Sequence, residues 1–240
     1  MMCCLRSCAA RVRDCPHAVV LLPLLQPPLP LDGGGVMAAV VALDALVHTG
    51  RVWRGQPAGV PEVAPQPTGY DALDAVLPAR GWPAHALSEI LLPADGMGEI
   101  SLVWPTLARL TRAGFRVVLI APPYRPHAPA WARAGMDLSQ VQVVHASPRE
   151  ALWATEQCLR SAACGAVLCW PAKADDRALR RLQVAAETGQ CLGFVFRDAR
   201  HADNPSPVAL RLQVSPGQIR VLKCRGGNPP ARSICFSAIA

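Results

Sequence analysis

The sequence is poor in aromatic residues, in charge and above all in lysine. Aromatic side chains make up 5% of its 240 residues and charged side chains 17%, and Lys173 and Lys223 are the only lysines. No apolar run reaches the roughly 18 to 20 residues that a membrane-spanning helix needs, so we expect no membrane partner. Hydrophobic residues make up 51% of the chain, which is enough for a full core and excludes wholesale disorder.

The ten cysteines include no C-x-x-C pair. Their spacing argues against a zinc ribbon and against a thioredoxin-like redox site, and we expect neither a metal nor another cofactor. The later cysteines lie mostly in apolar runs, as Cys169 does beside Leu168, where a free thiol behaves as a small hydrophobic side chain. These features predict a reducing, cytoplasmic compartment.

The formal net charge is +7, from 24 Lys and Arg against 17 Asp and Glu. This surplus permits contact with nucleic acid without demonstrating it. A candidate basic patch near the C-terminus consists of Arg220, Lys223, Arg225 and Arg232. Such a set is either the solvated face of an edge strand or a surface for DNA or a partner, and direct DNA contact stays open.

Residues 1–36 differ in composition from the rest of the chain. The apolar stretch 18–31 is interrupted by Pro23, Pro27, Pro28 and Pro30, so it cannot form one helix. Three glycines before Met37 would be encoded by purine-rich codons, as in a ribosome-binding site. We therefore interpret residues 1–36 as a disordered, non-native upstream extension. A secretory signal and a Cys-rich metal site are the less favoured alternatives.

A short helix and a proline-rich linker are predicted over residues 37–67. Apolar residues at helical spacing predict a helix over Ala38–His48, and four prolines make Gln56–Pro67 extended. A helix of about eleven residues is marginal alone in water, so its apolar face needs a docking surface. That surface is either a partner or the chain's own sheet. The candidate partner contacts are Val40, Leu43, Val47 and Trp53.

Residues 68–240 are predicted to form one α/β domain. Continuous apolar runs predict strands at residues 87–92, 116–121, 141–145, 166–170 and 192–196. Helical patterns lie between them, near residues 102–113, 129–134, 150–163 and 176–188. Three more strands, at residues 208–214, 218–224 and 233–236, follow without helices. This order predicts a mostly parallel sheet flanked by helices, with an antiparallel C-terminal edge.

The order of short motifs around the first strand is informative. Thr68 and Asp71 have the spacing of a helix capping box, the turn 81–83 follows, and the strand 87–92 leads into a glycine-containing loop. This order resembles the start of the RecA-like P-loop NTPase core, and the similarity extends to Phe236. The resemblance implies a RecA-like domain with a phosphate loop after the first strand.

That phosphate loop is degenerate. Against the pattern G-x-x-x-x-G-K-[ST], Pro93 replaces the first glycine, Glu99 the lysine and Ile100 the metal-binding hydroxyl residue. Repulsion between Glu99 and a phosphate charge is about 4 kcal/mol at about 4 Å and an effective dielectric of about 20. The segment 168–171 offers no acid to direct Mg²⁺. The resemblance therefore implies a pseudo-ATPase with no catalytic residue.

Two further features qualify this interpretation. Gly96 and Gly98 remain, and their backbone N–H groups leave an atypical nucleotide pocket open. The segments after Trp170 and after Phe196 are short, whereas a RecA-like filament contacts DNA through longer loops there. Tryptophans are expected to be core anchors more often than partner contacts, and this applies to Trp53, Trp82, Trp153 and Trp170.

Further short matches narrow the resemblance. They lie at residues 52–55, 81–83, 119–123, 151–157, 159–161, 164–167, 179–183 and 223–227. Together they make residues 37–236 similar to ImuA, a family of RecA/SulA-like accessory proteins from a bacterial mutagenesis cassette. The resemblance implies SOS-induced translesion DNA synthesis, with ImuB, DnaE2 and RecA as partners. Members are often labelled SulA-like, so inhibition of cell division is the alternative function.

Overall fold

The computed structural model describes residues 66–96 and 99–236. They belong to the second of the two units into which the chain divides, Pro57–Ala240. The expected extension 1–36 and the predicted N-terminal helix lie outside the described residues, as does all of the linker before Gln66. The same holds for the candidate contacts Val40, Leu43, Val47 and Trp53. No helix in the described ranges is long and apolar enough to span a membrane.

Strands and helices alternate along the described residues up to the fifth strand. The strands are β1 (Leu87–Leu92), β2 (Arg116–Ile120), β3 (Val141–Val144), β4 (Cys164–Cys169), β5 (Leu192–Asp198), β6 (Leu210–Ser215), β7 (Gln218–Cys224) and β8 (Ile234–Cys235). The α-helices are α1 (Asp71–Asp74), α2 (Trp104–Arg112), α3 (Ala128–Arg133), α4 (Ala151–Arg160) and α5 (Asp176–Thr188). Short 3₁₀ turns occur at Glu99–Leu102, Leu138–Gln140 and Ala199–His201.

All eight strands form one sheet in the order β3-β2-β4-β5-β1-β6-β7-β8. Strands β1 to β6 are parallel, whereas β7 runs antiparallel to β6 and β8 antiparallel to β7. The predicted α/β class, the mostly parallel sheet and the antiparallel C-terminal edge are therefore confirmed. Strand β1 lies at the centre, between β5 and β6, and the loop that follows it opens at the carboxyl edge of the parallel strands.

The two faces of the sheet carry separate cores because helices cover both. On one face Ile90 of β1 packs in a cluster with Leu107 of α2 and Trp131 of α3. On the other face Leu87 of β1 packs in a cluster with Leu159 of α4. Every residue of β1 is buried, as expected for a central parallel strand with both faces covered.

The N-terminal cap of α1 differs from the prediction. The Thr68 backbone N–H donates to Asp74 Oδ1 at 2.9 Å, and the Thr68 hydroxyl accepts from the Tyr70 N–H at 3.1 Å. Helix α1 begins at Asp71 with Tyr70 at its N-cap and no side-chain cap. The predicted capping box between Thr68 and Asp71 is therefore wrong, because the carboxylate of Asp74 takes the same N–H.

The tryptophans fall into different environments. Trp82 is buried, packs edge-on against Phe194, and donates its indole N–H to Thr106 Oγ1 at 2.9 Å. Trp170 is also in the core, stacked on Phe196 with ring centroids 4.7 Å apart. Trp153 on α4 is 63% exposed, so the expectation that it anchors the core is wrong. It lies on the solvent side of a helix whose buried face is formed by smaller side chains.

Candidate functional site

The candidate site lies where β1, β2, β4 and β5 end. Ligands of open parallel sheets bind in the crevice outside the carboxyl ends of the strands, where the strand order reverses. Here the chain crosses from β1 over β5 and β4 to reach β2, so the edge above β1 is such a place. Two cavities open there, of about 300 Å³ and about 250 Å³, and Trp170 and Pro123 line both.

The loop after β1, which the sequence predicts to be a degenerate phosphate loop, forms part of the smaller cavity. Gly96 has a φ of +80°, in the left-handed region, and its N–H donates to Glu99 Oε1 at 3.2 Å. Glu99 is only 3% exposed. The carboxylate of Glu99 therefore already accepts the backbone N–H of Gly96. Gly98, which the sequence retains from the phosphate-loop pattern, lies outside the described residues.

The other positions that depart from the phosphate-loop pattern carry apolar side chains. Ile100 packs against the core on the face that holds α2, where a serine or threonine would be needed to hold Mg²⁺. Pro93 lines the larger cavity and has no backbone N–H to offer a ligand. Strand β4 ends at Cys169, and Trp170, the next residue, lines both cavities. Pro93, Ile100 and Trp170 therefore place apolar side chains at this edge of the sheet.

Aromatic residues line the smaller cavity. Trp104 begins α2, Trp131 lies in α3, and Tyr124 belongs to the loop after β2; all three face this cavity together with Trp170. Tyr124 lies against Gly96, since a Cβ built on that glycine would be 3.2 Å from Tyr124 Cε2. Arg125 and His127 also line the cavity, and both are exposed.

A second buried glutamate lies below the larger cavity. Glu89 on β1 is fully buried, and its two carboxylate oxygens accept from Arg197 Nη1 on β5 and Arg211 Nε on β6, each at 2.5 Å. The side chains of the two arginines are 7% and 6% exposed. We call Glu89, Arg197 and Arg211 the triad. One carboxylate thus serves two guanidinium groups, whose other N–H groups donate to backbone carbonyls.

The triad fixes two loops at the carboxyl edge. Arg197 Nη2 donates to the carbonyl of Ala174 at 2.7 Å, in the loop before α5. Arg211 donates to the carbonyls of His201, Ala202 and Asn204, in the segment between β5 and β6. These are the two short segments that stand where longer DNA-contacting loops were considered. Each is attached to the sheet by a buried guanidinium.

Charge around the triad also affects His201. Burial lowers the pKa of the His201 imidazole, and the nearby positive charges of Arg197 and Arg200 lower it further, against weaker opposing contributions from Asp198 and Glu89. His201 lines the larger cavity. The neutral form of this ring is therefore favoured at the edge of the site.

Two of the four residues predicted to form a basic patch make hydrogen bonds within the protein. Lys223 Nζ donates to the carbonyl of Ser206 at 2.6 Å, and Arg225 Nη1 donates to Glu187 Oε1 at 2.9 Å. Burial lowers the pKa of Lys223, helped by Arg225 and Arg211. Arg220 and Arg232 are exposed. DNA or partner contact by this patch stays a prediction.

The triad and two cavity tryptophans were not singled out from the sequence. The sequence analysis places Glu89 only within the predicted strand 87–92, and it predicts no role for Trp104 or Trp131. A signal did exist for Glu89, since a glutamate within a run of five apolar or small residues in a buried strand needs a cationic partner. The sequence does not say which arginine provides it.

The described residues form an α/β protein with two cavities at the carboxyl edge of its parallel strands. Among the described residues no cluster of three or more His, Cys, Asp or Glu side chains is placed to hold a metal. No protein-family model matches the chain.

Comparison with known proteins gives a family. The chain is 30% identical over 120 residues to the cell division inhibitor SulA of Pectobacterium atrosepticum, covering 49% of this chain and 71% of that protein. A crystal structure of SulA from Pseudomonas aeruginosa is also similar, with 27% identity and a TM-score of 0.40, covering 48% of this chain and 98% of that one. On the first comparison, the chain belongs to the SulA-like family.

Proposed function

We propose that this protein is a non-catalytic, RecA-like accessory protein of the SOS response that acts by binding other proteins, and that it supports error-prone translesion DNA synthesis with ImuB, DnaE2 and RecA. The observation that carries the non-catalytic part is the position of Glu99. Its carboxylate is buried in the phosphate loop and accepts the Gly96 N–H at 3.2 Å.

The electrostatics of this loop oppose nucleotide binding. A phosphate loop works by presenting free backbone N–H groups and a lysine to the phosphates. Here one N–H is already used, and a carboxylate replaces the ammonium. At about 4 Å the change from attraction to repulsion is worth about 8 kcal/mol for a single phosphate charge at an effective dielectric of about 20. That is more than a typical weak ligand's whole affinity.

The sheet supports the RecA-like part of the proposal. The strand that precedes the phosphate loop is central, its loop lies at the reversal of strand order, and helices cover both faces. These are the features that the motif order over residues 68–90 implies. A scaffold of this kind without its chemistry is suited to binding, because the rigid sheet and the loops at its edge remain.

Two cellular functions are candidates for such a binding protein. The name of the relative from Pectobacterium favours inhibition of cell division, and it is the comparison that supports this second candidate. The short matches spread over residues 37–236 favour the mutasome. That region is much longer than the 120 residues aligned with the SulA relative, which is why we place translesion synthesis first.

The non-catalytic part is tested with purified full-length protein and radiolabelled ATP. We expect no phosphate release above buffer, with or without single-stranded DNA. DNA-stimulated release that disappears in Gly96→Val would refute the proposal, because that variant places a branched side chain in the loop beside Tyr124. Activity that persists unchanged in Gly96→Val would indicate a contaminating ATPase, and repurification would then have to remove it.

The cellular function, translesion synthesis or inhibition of cell division, is tested in the native host. Deletion of the gene should lower the frequency of damage-induced mutation several-fold and leave the length of damaged cells unchanged. Expression of the wild-type gene in trans should restore mutation, and a gene carrying Glu89→Leu should not. If mutation frequency is unchanged and filamentation after damage is suppressed, the protein is a division inhibitor and the first candidate is wrong.

A further inference from the structure

Among the described residues, three buried polar atoms without a hydrogen-bond partner belong to side chains that line the smaller cavity. It has a volume of about 250 Å³ and is lined by Glu99 together with Trp104, Tyr124, Trp131 and Trp170. Within the part of the chain that the structure describes, Glu99 Oε2 is buried and accepts no hydrogen bond, and the indole N–H groups of Trp104 and Trp170 are buried and have no acceptor.

Such atoms are costly unless something pairs with them. An unpaired buried polar group costs about 1 to 3 kcal/mol, and more when the group is charged. Native structures contain few of them, and each calls for an explanation. Here three occur among the residues that line one cavity or contact it, at the edge of the sheet where ligands bind. The free oxygen is an acceptor, whereas the two indoles are donors.

We propose that this cavity receives an arginine side chain from a partner protein. A guanidinium supplies donors for Glu99 Oε2, is planar, and stacks on aromatic rings, which the cavity offers in number. The backbone carbonyls beside that arginine supply acceptors for the indole N–H groups of Trp104 and Trp170. One peptide segment thus satisfies all three atoms. The inference rests on the proposed function only in that the protein acts by binding other proteins.

The charge of the Glu99 carboxylate favours an arginine side chain over a nucleotide in this cavity. The chain as a whole carries a net charge of +7, so general attraction favours anions, and a bound cation must be held by the local carboxylate. Arg125 and His127 also line the cavity but are exposed at its rim, where solvent screens them. Glu99 is buried, where charge-assisted hydrogen bonds are stronger. Arg125 lines the same cavity and repels a second cation there, so it lowers the affinity for the partner's arginine.

The test uses N-acetyl-arginine amide and its uncharged isostere N-acetyl-citrulline amide as probes. Each is titrated into the full-length protein while tryptophan fluorescence is recorded at constant ionic strength. We expect a saturable change with the arginine probe and an affinity at least about tenfold lower for the citrulline probe, because the hydrogen bond to Glu99 is charge-assisted. ATP, as the opposite charge, should give no saturable change.

Variants locate the binding and keep the test independent of folding. Glu99→Gln should weaken arginine binding at least about tenfold, and Tyr124→Ala, at an aromatic residue that is 65% exposed, should weaken it while leaving the melting temperature unchanged. Glu187→Gln is the matched control, since that carboxylate lies on the surface of α5, and it should bind like the wild type.

The proposal would be overturned by equal binding of arginine and citrulline, by full binding by a folded Glu99→Gln, or by displacement of the arginine probe by ATP. None of them bears on the genetic test of the proposed function, so the two fail separately. Arg125→Ala should raise the affinity for the arginine probe. A loss of affinity in that variant would place the probe elsewhere and would also contradict the proposal.

Discussion

Two glutamates of this protein are buried within ten positions of each other in sequence, and their surroundings differ. Glu89 has an arginine on each carboxylate oxygen, whereas Glu99 has one backbone N–H on Oε1 and no partner among the described residues on Oε2. A buried charge that is fully paired holds structure together. One that is half paired stays available for a ligand. The contrast separates a structural carboxylate from a candidate binding carboxylate.

The largest effect is expected at Glu89. Glu89→Gln keeps the shape of the side chain but leaves two buried guanidinium groups without a counter-charge. We expect a loss of about 3 to 5 kcal/mol in the free energy of unfolding, which urea denaturation measures. A loss below about 1 kcal/mol would mean that water reaches the triad, and the contrast between the two glutamates would then disappear.

A smaller loss is expected when the whole triad is made apolar. In Glu89→Leu, Arg197→Met and Arg211→Met combined, no buried charge remains, and such replacements are often neutral. Here the arginines also bind carbonyls of two loops, which lose their donors. The triple variant should therefore recover only part of the stability lost in Glu89→Gln, to within about 1 to 3 kcal/mol of the wild type. Denaturation of all three proteins under one condition makes the comparison.

Little change is expected at Glu99. Glu99→Gln retains an oxygen that can accept the Gly96 N–H, and no pairing of Oε2 is lost. The free energy of unfolding should change by no more than about 1 kcal/mol in either direction. Thermal unfolding followed by circular dichroism is the measurement. A loss as large as that of Glu89→Gln would show that Glu99 is structural and would weaken the case for a ligand.

The exposed ion pair between Glu187 and Arg225 gives the reference against which the stability effects at the two buried glutamates are compared. Both side chains are about half exposed, and their contact is 2.9 Å long. Glu187→Gln should therefore cost no more than about 1 kcal/mol, and less at high salt. Urea denaturation at low and high ionic strength would measure this. The Gln183 side-chain amide also donates to Glu187 Oε1, at 2.8 Å. A cost that is independent of salt would indicate that this hydrogen bond, and not the charge, matters at this position.

The smallest effect is a pH dependence near the triad. Because the pKa of His201 is lowered in the fold, the unfolded chain takes up a proton first as the pH falls through the ordinary histidine value of about 6.5. Stability is therefore unaffected by this group at higher pH and is lost as the pH falls through that window to the folded pKa. His201→Gln should show a shallower loss between pH 7.5 and 5.5. An identical profile would mean that other groups dominate.

The sequence allowed good prediction wherever the signal was local. The bounds of β1, β7 and α5 agree with the predicted segments, because each is a continuous or alternating pattern that ends at glycine, proline or a capping residue. Asp175 caps α5 by accepting the Ala178 N–H at 2.8 Å. Where two carboxylates competed for one N–H, at Thr68, local spacing favoured the wrong one. In a helix of only four residues, the sequence alone does not distinguish Asp71 from Asp74 as the acceptor of the Thr68 N–H.

At the candidate site the sequence predicts only how the loop after β1 departs from the phosphate-loop pattern. The absence of the lysine, of the hydroxyl residue and of the acid after β4 can be read directly from the residues. The groups that lie at this edge in the fold cannot be read in the same way, because they come from residues far apart in the chain. Arg197 and Arg211 follow Glu89 by 108 and 122 positions, and the aromatic residues around Glu99 come from α2, α3 and two loops. No periodicity connects them before the sheet is assembled.

The position of β1 in the sheet has a consequence for how the chain folds during synthesis. Both neighbours of this central strand, β5 and β6, come from the C-terminal half, whereas β2, β3 and β4 can pair among themselves first. At roughly 5 to 20 residues per second, the about 100 residues between β1 and β5 take about 5 to 20 seconds to emerge. During that interval six residues that are buried in the final sheet have no strand to pair with, so the nascent protein presents an apolar strand that a chaperone can recognise and that invites aggregation when synthesis stalls.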